Sequence, residues 1–236
     1  MPEKKSDSQI FKELFSIPLE KQEAIFAYFG WAGIVFRTEK HVIAIDMGEK
    51  CFQTDDIPAF EKLNLQLYSH THWDHFSLPV TKKIFETTEA PVIAEPQVAS
   101  ELKNNIPADK LFSPNSGETI VVDEFEISAV SGVHPRPITL FRVKWDECSF
   151  FHGADSGYVP LEDYSADLAF IPTGSPSPSC SPEKGLKMVL DIKPRIIVAM
   201  HGNKTQMRKF EALTRKNLPD VEVILPDMKE PIKLSL

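Results

Sequence analysis

Four side chains that can bind a metal ion lie within six residues of this sequence. They follow a short apolar segment that ends at Ser69 and predicts a β-strand. Residues two apart on an extended strand point the same way, so His70 and His72 can converge on one point. A turn after His72 would carry Asp74 and His75 to a neighbouring point. Imidazole nitrogen and carboxylate oxygen suit zinc, manganese or iron, and we predict a metal site here rather than a solvated polar turn.

Three more candidate ligands follow other predicted strands directly. His134 comes after a strand predicted to end at Ser131, Asp155 after one ending at His152, and His201 after one ending at Met200. Functional side chains gather in loops that a rigid scaffold positions. The alternatives are an exposed loop histidine for His134 and turn-forming or capping roles for the other two.

The order of strands and helices predicts a layered α/β (α+β) fold of sheets covered by helices. Strands and then helices follow each other in two similar halves, without a linker-like segment or a repeat of fixed period. We therefore predict a single domain over residues 1–236, with residues 1–20 as a peripheral helix. Predicted strands are 24–29, 34–38, 41–47, 65–69, 119–122, 125–131, 139–145, 148–152, 166–171, 195–200 and 221–225, and predicted helices are 78–87, 97–104, 182–193 and 206–217.

Composition and charge make some partners improbable. The net charge is −8, whereas a protein that binds nucleic acid needs a basic surface to neutralise phosphates. No apolar run reaches the length that spans a bilayer, and the charged start MPEKKSDSQIFKELF lacks the apolar core of a signal peptide. Three widely separated cysteines suit free thiols in a reducing compartment. We predict a cytoplasmic protein with no membrane partner, and the oligomeric state stays open.

The spacing His70-x-His72-x-Asp74-His75, followed in order by His134, Asp155 and His201, resembles the ligand series of the metallo-β-lactamase superfamily. Asp46, in the sequence IDMG at 45–48, is similar to the aspartate that closes an early strand in that family. The resemblance runs from about residue 25 to about residue 225. It implies an αββα sandwich of two mixed sheets covered by helices.

The resemblance also implies two divalent metal ions, with zinc preferred and manganese or iron as alternatives. The first would be held by His70, His72 and His134, and the second by Asp74, His75 and His201, with Asp155 bridging both. A hydroxide shared by the two metals would then attack a carbonyl or phosphorus centre at neutral pH. Asp74 would also be catalytic, by orienting this nucleophile.

Three residues near the ligands are candidates for substrate contacts. Arg136 lies two residues after His134 and could bind an anionic group, although a surface salt bridge is the alternative. Trp73 lies inside the first motif, where packing is the alternative, and Tyr158 lies close to Asp155 in sequence.

Several positions favour hydrolysis of a small molecule. Diiron redox relatives typically carry glutamate where this chain has His72, and glyoxalase-type relatives have Thr-Pro-Gly where this chain has Pro-Arg-Pro at 135–137. The segments HGADSG at 152–157 and MHG at 200–202 are similar to the ascorbate 6-phosphate lactonase branch. We predict a hydrolase of an ester, lactone or phosphodiester of a small, anionic substrate. The alternatives are a phosphodiesterase or nuclease on nucleic acid, and a non-catalytic metal-binding protein on the same scaffold.

Overall fold

A computed structural model describes residues 5–51, 62–146 and 148–236. The chain forms two compact units, one of residues 1–113 with 227–236 and the other of residues 114–226. Each unit contains one seven-stranded mixed sheet. Residues 1–4, the start of the predicted N-terminal helical segment, lie outside the described residues.

The sheet of the first unit has the strand order β14-β1-β2-β3-β4-β5-β6. Strands β14, β1, β2 and β3 pair antiparallel, and β3 to β6 pair parallel. The strands are β1 Glu23–Gly30, β2 Gly33–Thr38, β3 Val42–Ile45, β4 Leu65–Tyr68, β5 Val92–Ala94, β6 Leu111–Phe112 and β14 Ile232–Ser235. The helices of this unit are α1 Asp7–Ser16, α2 Leu78–Thr88 and α3 Pro96–Leu102.

The sequence of helix α1 explains both where the helix begins and which face of it is buried. Ser6 and Gln9 form a capping box, which satisfies backbone N–H groups of the first turn. Ile10, Phe11 and Leu14 recur at helical spacing and are fully buried in the core of the first unit. Burying side chains of this size stabilises the helix by about 1.5–3 kcal/mol each.

The sheet of the second unit has the order β13-β12-β11-β10-β9-β8-β7. Strands β10 to β13 pair parallel, and β7 to β10 pair antiparallel. The strands are β7 Thr119–Val122, β8 Phe125–Ser131, β9 Thr139–Trp145, β10 Cys148–His152, β11 Leu168–Pro172, β12 Ile196–Met200 and β13 Glu222–Ile224. The helices are α4 Pro182–Ile192 and α5 Lys204–Asn217.

In each sheet, the pairing brings the carboxyl ends of several strands to one edge. Strands β1, β3, β4 and β5 run in the same direction in the first sheet, and β8, β10, β11 and β12 do so in the second. Ligands bind beyond the carboxyl ends of strands in open α/β sheets. The loop after each of these strands is therefore the place to look for functional side chains.

The predicted fold class is confirmed: two mixed sheets, covered by helices, form an α/β layered fold. All the predicted strands and helices are present, β7 to β10 with the predicted ends and the others with shifted ends, whereas β5, β6 and β14 were not predicted. No helix among the described residues is long and apolar enough to cross a membrane. That both units belong to one domain stays a prediction.

Candidate metal centre

In the first unit, the buried carboxylate of Asp46 organises two of the predicted ligands. Asp46 follows β3, and its Oδ1 accepts a hydrogen bond from the Ser69 backbone N–H at 2.7 Å. Its Oδ2 accepts the Ser69 hydroxyl at 2.6 Å and lies 2.7 Å from His75 Nδ1. Ser69 Oγ in turn lies 3.0 Å from Nδ1 of His70. One carboxylate thus orients His75 directly and His70 through Ser69.

These contacts assign the tautomers of both imidazoles. Because the Ser69 hydroxyl donates to Asp46, its oxygen is available to accept the Nδ1 hydrogen of His70. The Asp46 carboxylate likewise accepts from His75 Nδ1. Nε2 of each ring therefore carries the lone pair. This is the carboxylate–histidine arrangement that orients metal-binding imidazoles.

The four predicted ligands of the first unit lie close together. The rings of His70 and His72 have centroids 4.7 Å apart, and those of His70 and His75 are 4.2 Å apart. Asp74 Oδ2 lies 3.8 Å from Nε2 of His75. His70, Asp74 and His75 are buried, and His72 is partly exposed. The first predicted cluster is therefore compact.

Gly48 makes the approach of the Asp74 turn to the loop after β3 sterically feasible. A Cβ at Gly48 would lie 2.5 Å from the backbone carbon of Asp74 and 2.7 Å from the backbone nitrogen of His75. These are backbone atoms of a turn, so a side chain would have to displace the turn itself. The glycine is needed for close approach at this position.

In the second unit, His134, Asp155 and His201 meet at the carboxyl edge of the sheet. Nε2 of His134 lies 3.3 Å from Asp155 Oδ2, and Nε2 of His201 lies 3.8 Å from the same oxygen. The side chains of all three are almost completely buried. Nδ1 of His134 lies 3.3 Å from the Arg136 carbonyl oxygen and 3.2 Å from the Arg136 N–H. The three predicted ligands of this unit are thus brought together.

His201 is positioned by the loop that follows β11. Its Nδ1 lies 3.3 Å from the Gly174 carbonyl oxygen, and the Gly174 N–H donates to the His201 carbonyl oxygen at 2.8 Å. The Gln206 side chain on α5 fixes this loop, because its Oε1 accepts from Ser175 N–H at 3.0 Å and from Asn203 N–H at 3.1 Å. Sequence reasoning missed Gln206, since a polar residue in the first turn of a helix is unremarkable by pattern alone.

Backbone strain coincides with these loops. Asp46, Ala154 and His201 have φ angles of 47°, 49° and 45°, a left-handed conformation that is uncommon for residues other than glycine. Such strain persists where the surrounding structure holds it, and it clusters at functional sites.

The donor chemistry fits divalent metal ions. His70, His75 and His201 have Nδ1 next to an acceptor of the protein, which leaves Nε2 as the coordinating atom. Asp74 and Asp155 supply carboxylate oxygen, so the mixture suits zinc, manganese or iron. The ligand atoms of His70 and His72 lie within 4.8 Å of each other, and so do those of Asp74 and His75.

The predicted substrate residues have different surroundings. The Trp73 side chain is 52% exposed, and Arg136 is exposed. The Tyr158 hydroxyl donates to Asp191 Oδ2 of α4 at 2.9 Å, and Lys187 Nζ lies 5.5 Å from its ring centroid. This tether holds the Tyr158 hydroxyl against α4, and the substrate contacts of Trp73, Arg136 and Tyr158 stay predictions. His152, at the end of β10, is fully buried with its ring 6.3 Å from that of Phe170.

Solved structures with the same fold carry several activities in their names. A novel metallo hydrolase, Igni18, from Ignicoccus hospitalis is 18% identical, with a TM-score of 0.75 over 91% of this chain and 99% of that one. CmlA, a diiron β-hydroxylase from Streptomyces venezuelae, is 14% identical, with a TM-score of 0.69 over 93% of this chain and 55% of that one. A diphosphatase from the PhnP family is 12% identical, with a TM-score of 0.59 over 91% and 99% of the two chains. At these identities the likeness shows the fold.

Family membership follows from the sequence itself. A search of curated proteins found no match to this chain. The family model described as the beta-lactamase superfamily domain matches residues 45–202, a span from just before Asp46 to just after His201 that is more than half of the chain. The chain therefore belongs to the β-lactamase superfamily.

Proposed function

We propose that this protein is a metal-dependent hydrolase with a dinuclear centre. The observation that carries the proposal is the orientation of the histidines, since His70, His75 and His201 each have Nδ1 beside an acceptor of the protein, so that Nε2 can bind a metal. Membership of the β-lactamase superfamily supports the same reading. Histidines that served only packing would not need a buried carboxylate to fix their tautomer.

We assign seven ligands to two metal ions. His70, His72 and His134 would hold one ion, and Asp74, His75 and His201 the other, with Asp155 binding both. One of the solved structures with this fold is named as a diiron protein, so the identity of the bound metal has to be measured. We propose zinc, with manganese and iron as alternatives, because nitrogen and carboxylate donors suit all three.

Two bound divalent ions supply a nucleophile at neutral pH, because they lower the pKa of water to about 7. The contribution of this chain is to orient the groups around that water. Asp74 is held in a turn packed against Gly48, and the Cys51 thiol donates to its carbonyl oxygen at 3.3 Å. We propose that the Asp74 carboxylate orients the attacking water and accepts its hydrogen bond.

The substrate we propose is a small, anionic ester, lactone or phosphodiester. The similarity of the segments 152–157 and 200–202 to the ascorbate 6-phosphate lactonase branch motivates the lactone. The diphosphatase among the solved relatives motivates the phosphorus centre. The net charge of −8 makes nucleic acid the less suitable partner. We propose the cytoplasm as the location.

A hydrolysis screen tests the proposal. Protein loaded with zinc, manganese or iron is assayed against chromogenic esters, lactones, phosphodiesters and a single-stranded oligonucleotide, before and after removal of the metal by a chelator. We expect chelator-sensitive turnover of one small-molecule class, and we expect Asp74→Asn to lower kcat by about 100-fold or more. Absence of turnover with every loaded metal would contradict the hydrolase assignment. Preferred cleavage of the oligonucleotide would contradict the small-molecule substrate.

A further inference from the structure

Two tryptophans and a lysine form a group at the carboxyl edge of the first unit's sheet, in which Trp73 and Lys50 are exposed and Trp31 is half-buried. The ring centroids of Trp31 and Trp73 are 6.0 Å apart with planes at 68°, an edge-to-face pair. Lys50 Nζ lies 5.0 Å from the centroid of the Trp73 ring. We call Trp31, Trp73 and Lys50 the tryptophan platform.

Strand direction explains why the tryptophan platform adjoins the ligands of this unit. Trp31 follows β1, Lys50 lies in the loop after β3, and Trp73 lies in the turn after β4. These three strands run in the same direction, so their carboxyl ends share one edge. In sequence, Trp73 is flanked by two of the proposed ligands, His72 and Asp74.

Core packing accounts for Trp31, which is half-buried against the core of the first unit, but not for Trp73. Trp73 is 52% exposed although it has two neighbours, whereas Phe15 and Phe85, which pack against this unit's core, are half-buried. Met228 is 55% exposed, and its Cε would lie 2.9 Å from a Cβ on Gly30, the residue before Trp31. Exposed apolar side chains clustered in this way mark binding sites, whereas single ones carry no meaning.

The backbone of the tryptophan platform is held in a specific conformation. Trp31 has a φ of 49°, which is a rare value for a bulky residue. The Tyr28 hydroxyl donates to its carbonyl oxygen at 3.0 Å, and the Glu49 N–H donates to the Trp73 carbonyl oxygen at 3.1 Å. Strained residues that the surrounding structure holds in place cluster at ligand-binding sites.

We propose that the tryptophan platform binds a planar ring carried by an anionic substrate. An indole face stacks on an aromatic or heterocyclic ring, and the ammonium group of Lys50 attracts the negative charge beside it. That the bound molecule is then hydrolysed rests on the proposed function. It narrows the substrate class to aryl or heterocyclic esters that carry a negative charge.

Binding of a stable probe tests the tryptophan platform independently of hydrolysis. Phenylphosphonate, which combines a ring and an anion, is titrated into the full chain after metal removal and again after metal loading, and its Kd is measured by NMR. Methylphosphonate carries the anion alone, and benzyl alcohol carries the ring alone. We expect phenylphosphonate to bind metal-free protein about threefold to tenfold more tightly than either partial probe.

Substitutions locate the binding. Trp73→Ala should weaken phenylphosphonate binding to the metal-free chain by about three- to tenfold, and Lys50→Gln by about two- to fivefold. Trp73→Phe keeps a smaller aromatic ring, so its affinity for phenylphosphonate should fall less than that of Trp73→Ala. The matched control is Lys187→Gln, since Lys187 also lies over an aromatic ring, that of Tyr158 in the second unit. This control should leave the Kd unchanged.

Each outcome decides between the two proposals. Equal Kd values for Trp73→Ala and the wild type, or equal binding of phenylphosphonate and methylphosphonate, would overturn the tryptophan platform as a ring-binding surface. Ring-dependent binding in a protein without metal-dependent turnover would support the tryptophan platform and contradict the proposed function. Metal-dependent turnover without ring-dependent binding would support the proposed function and contradict the tryptophan platform.

Discussion

Asp46→Asn is the substitution that probes the proposed metal centre most selectively. Asn has nearly the same shape and tolerates the left-handed φ of 47° found at this position. Its amide NH₂ is a donor, however, and it replaces an oxygen that lies 2.7 Å from His75 Nδ1 and 2.6 Å from Ser69 Oγ. His75 can pair with that donor only by moving its hydrogen from Nδ1 to Nε2. The tautomer that results cannot bind a metal through Nε2.

The magnitude follows from these contacts. Partners that orient a metal-bound histidine contribute about 10- to 100-fold to metal affinity. That range corresponds to about 1.4–2.8 kcal/mol, which is close to the value of one hydrogen bond to a charged group, about 1.5–3 kcal/mol. Because His75 of the metal-free protein can adopt the tautomer that accepts from the amide, we expect the metal-free stability to fall by only about 1 kcal/mol. The Tm of the metal-free chain would then fall by about 2–4 °C.

Asp167→Asn is the matched control. Asp167 Oδ2 accepts the backbone N–H and the hydroxyl of Ser149, both at 2.8 Å, so it makes the same two contacts to a serine that Asp46 makes. Asp167 has no role in the proposed centre. We expect Asp167→Asn to lower the Tm by a similar amount and to leave metal affinity unchanged.

The assay is competition for zinc between each purified variant and a chromophoric chelator, combined with thermal unfolding of the metal-free proteins. Asp46→Asn should weaken zinc binding by about 10- to 100-fold. Wild-type affinity in Asp46→Asn, or an equal loss in Asp167→Asn, would refute the role we give to the Asp46 hydrogen bonds.

Two further substitutions and one alkylation reaction test other contacts and properties of the chain. Gly48→Ala should displace the backbone of Asp74 and lower both metal content and Tm, and an unchanged metal content by elemental analysis would contradict the close approach. Gln206→Ala should weaken metal binding by about tenfold, because Gln206 fixes the loop that positions His201. Wild-type metal affinity of this variant in chelator competition would contradict a role for Gln206 in positioning the loop. Burial raises the pKa of the Cys148 thiol to about 12, so its alkylation by iodoacetamide should be slow at pH 8 and should keep accelerating through pH 10. A rate that levels off near pH 9 would contradict this value.

Much of the fold could be predicted because its signals are local. Strands such as β8, β9 and β10 are rich in β-branched and aromatic residues and are bounded by turns, and their ends match the predicted ranges. Strands β5 and β6 have three and two residues, too few for a period to appear. Strand β14 lies at the end of the chain and pairs with β1, a contact between distant segments that no local pattern predicts.

The ligand residues could be predicted for a different reason. Residue type and spacing are enough to indicate the clustered ligands His70, His72, Asp74 and His75. The single ligands follow strands of the same direction. The supporting residues carry no such signal. Ser69 and Gln206 are ordinary polar residues until the fold brings them to an imidazole or to its loop. The contact between Trp31 and Trp73 depends in the same way on the parallel directions of β1 and β4.

Metal content per chain tests the central claim most directly. The wild type, His72→Ala and His152→Ala are reconstituted with zinc, dialysed and measured by elemental analysis. The proposed centre predicts about two metal ions per chain in the wild type and in His152→Ala, and at least one fewer in His72→Ala. A wild-type chain without bound metal after reconstitution, or full metal content in His72→Ala, would contradict the assignment of the metal centre.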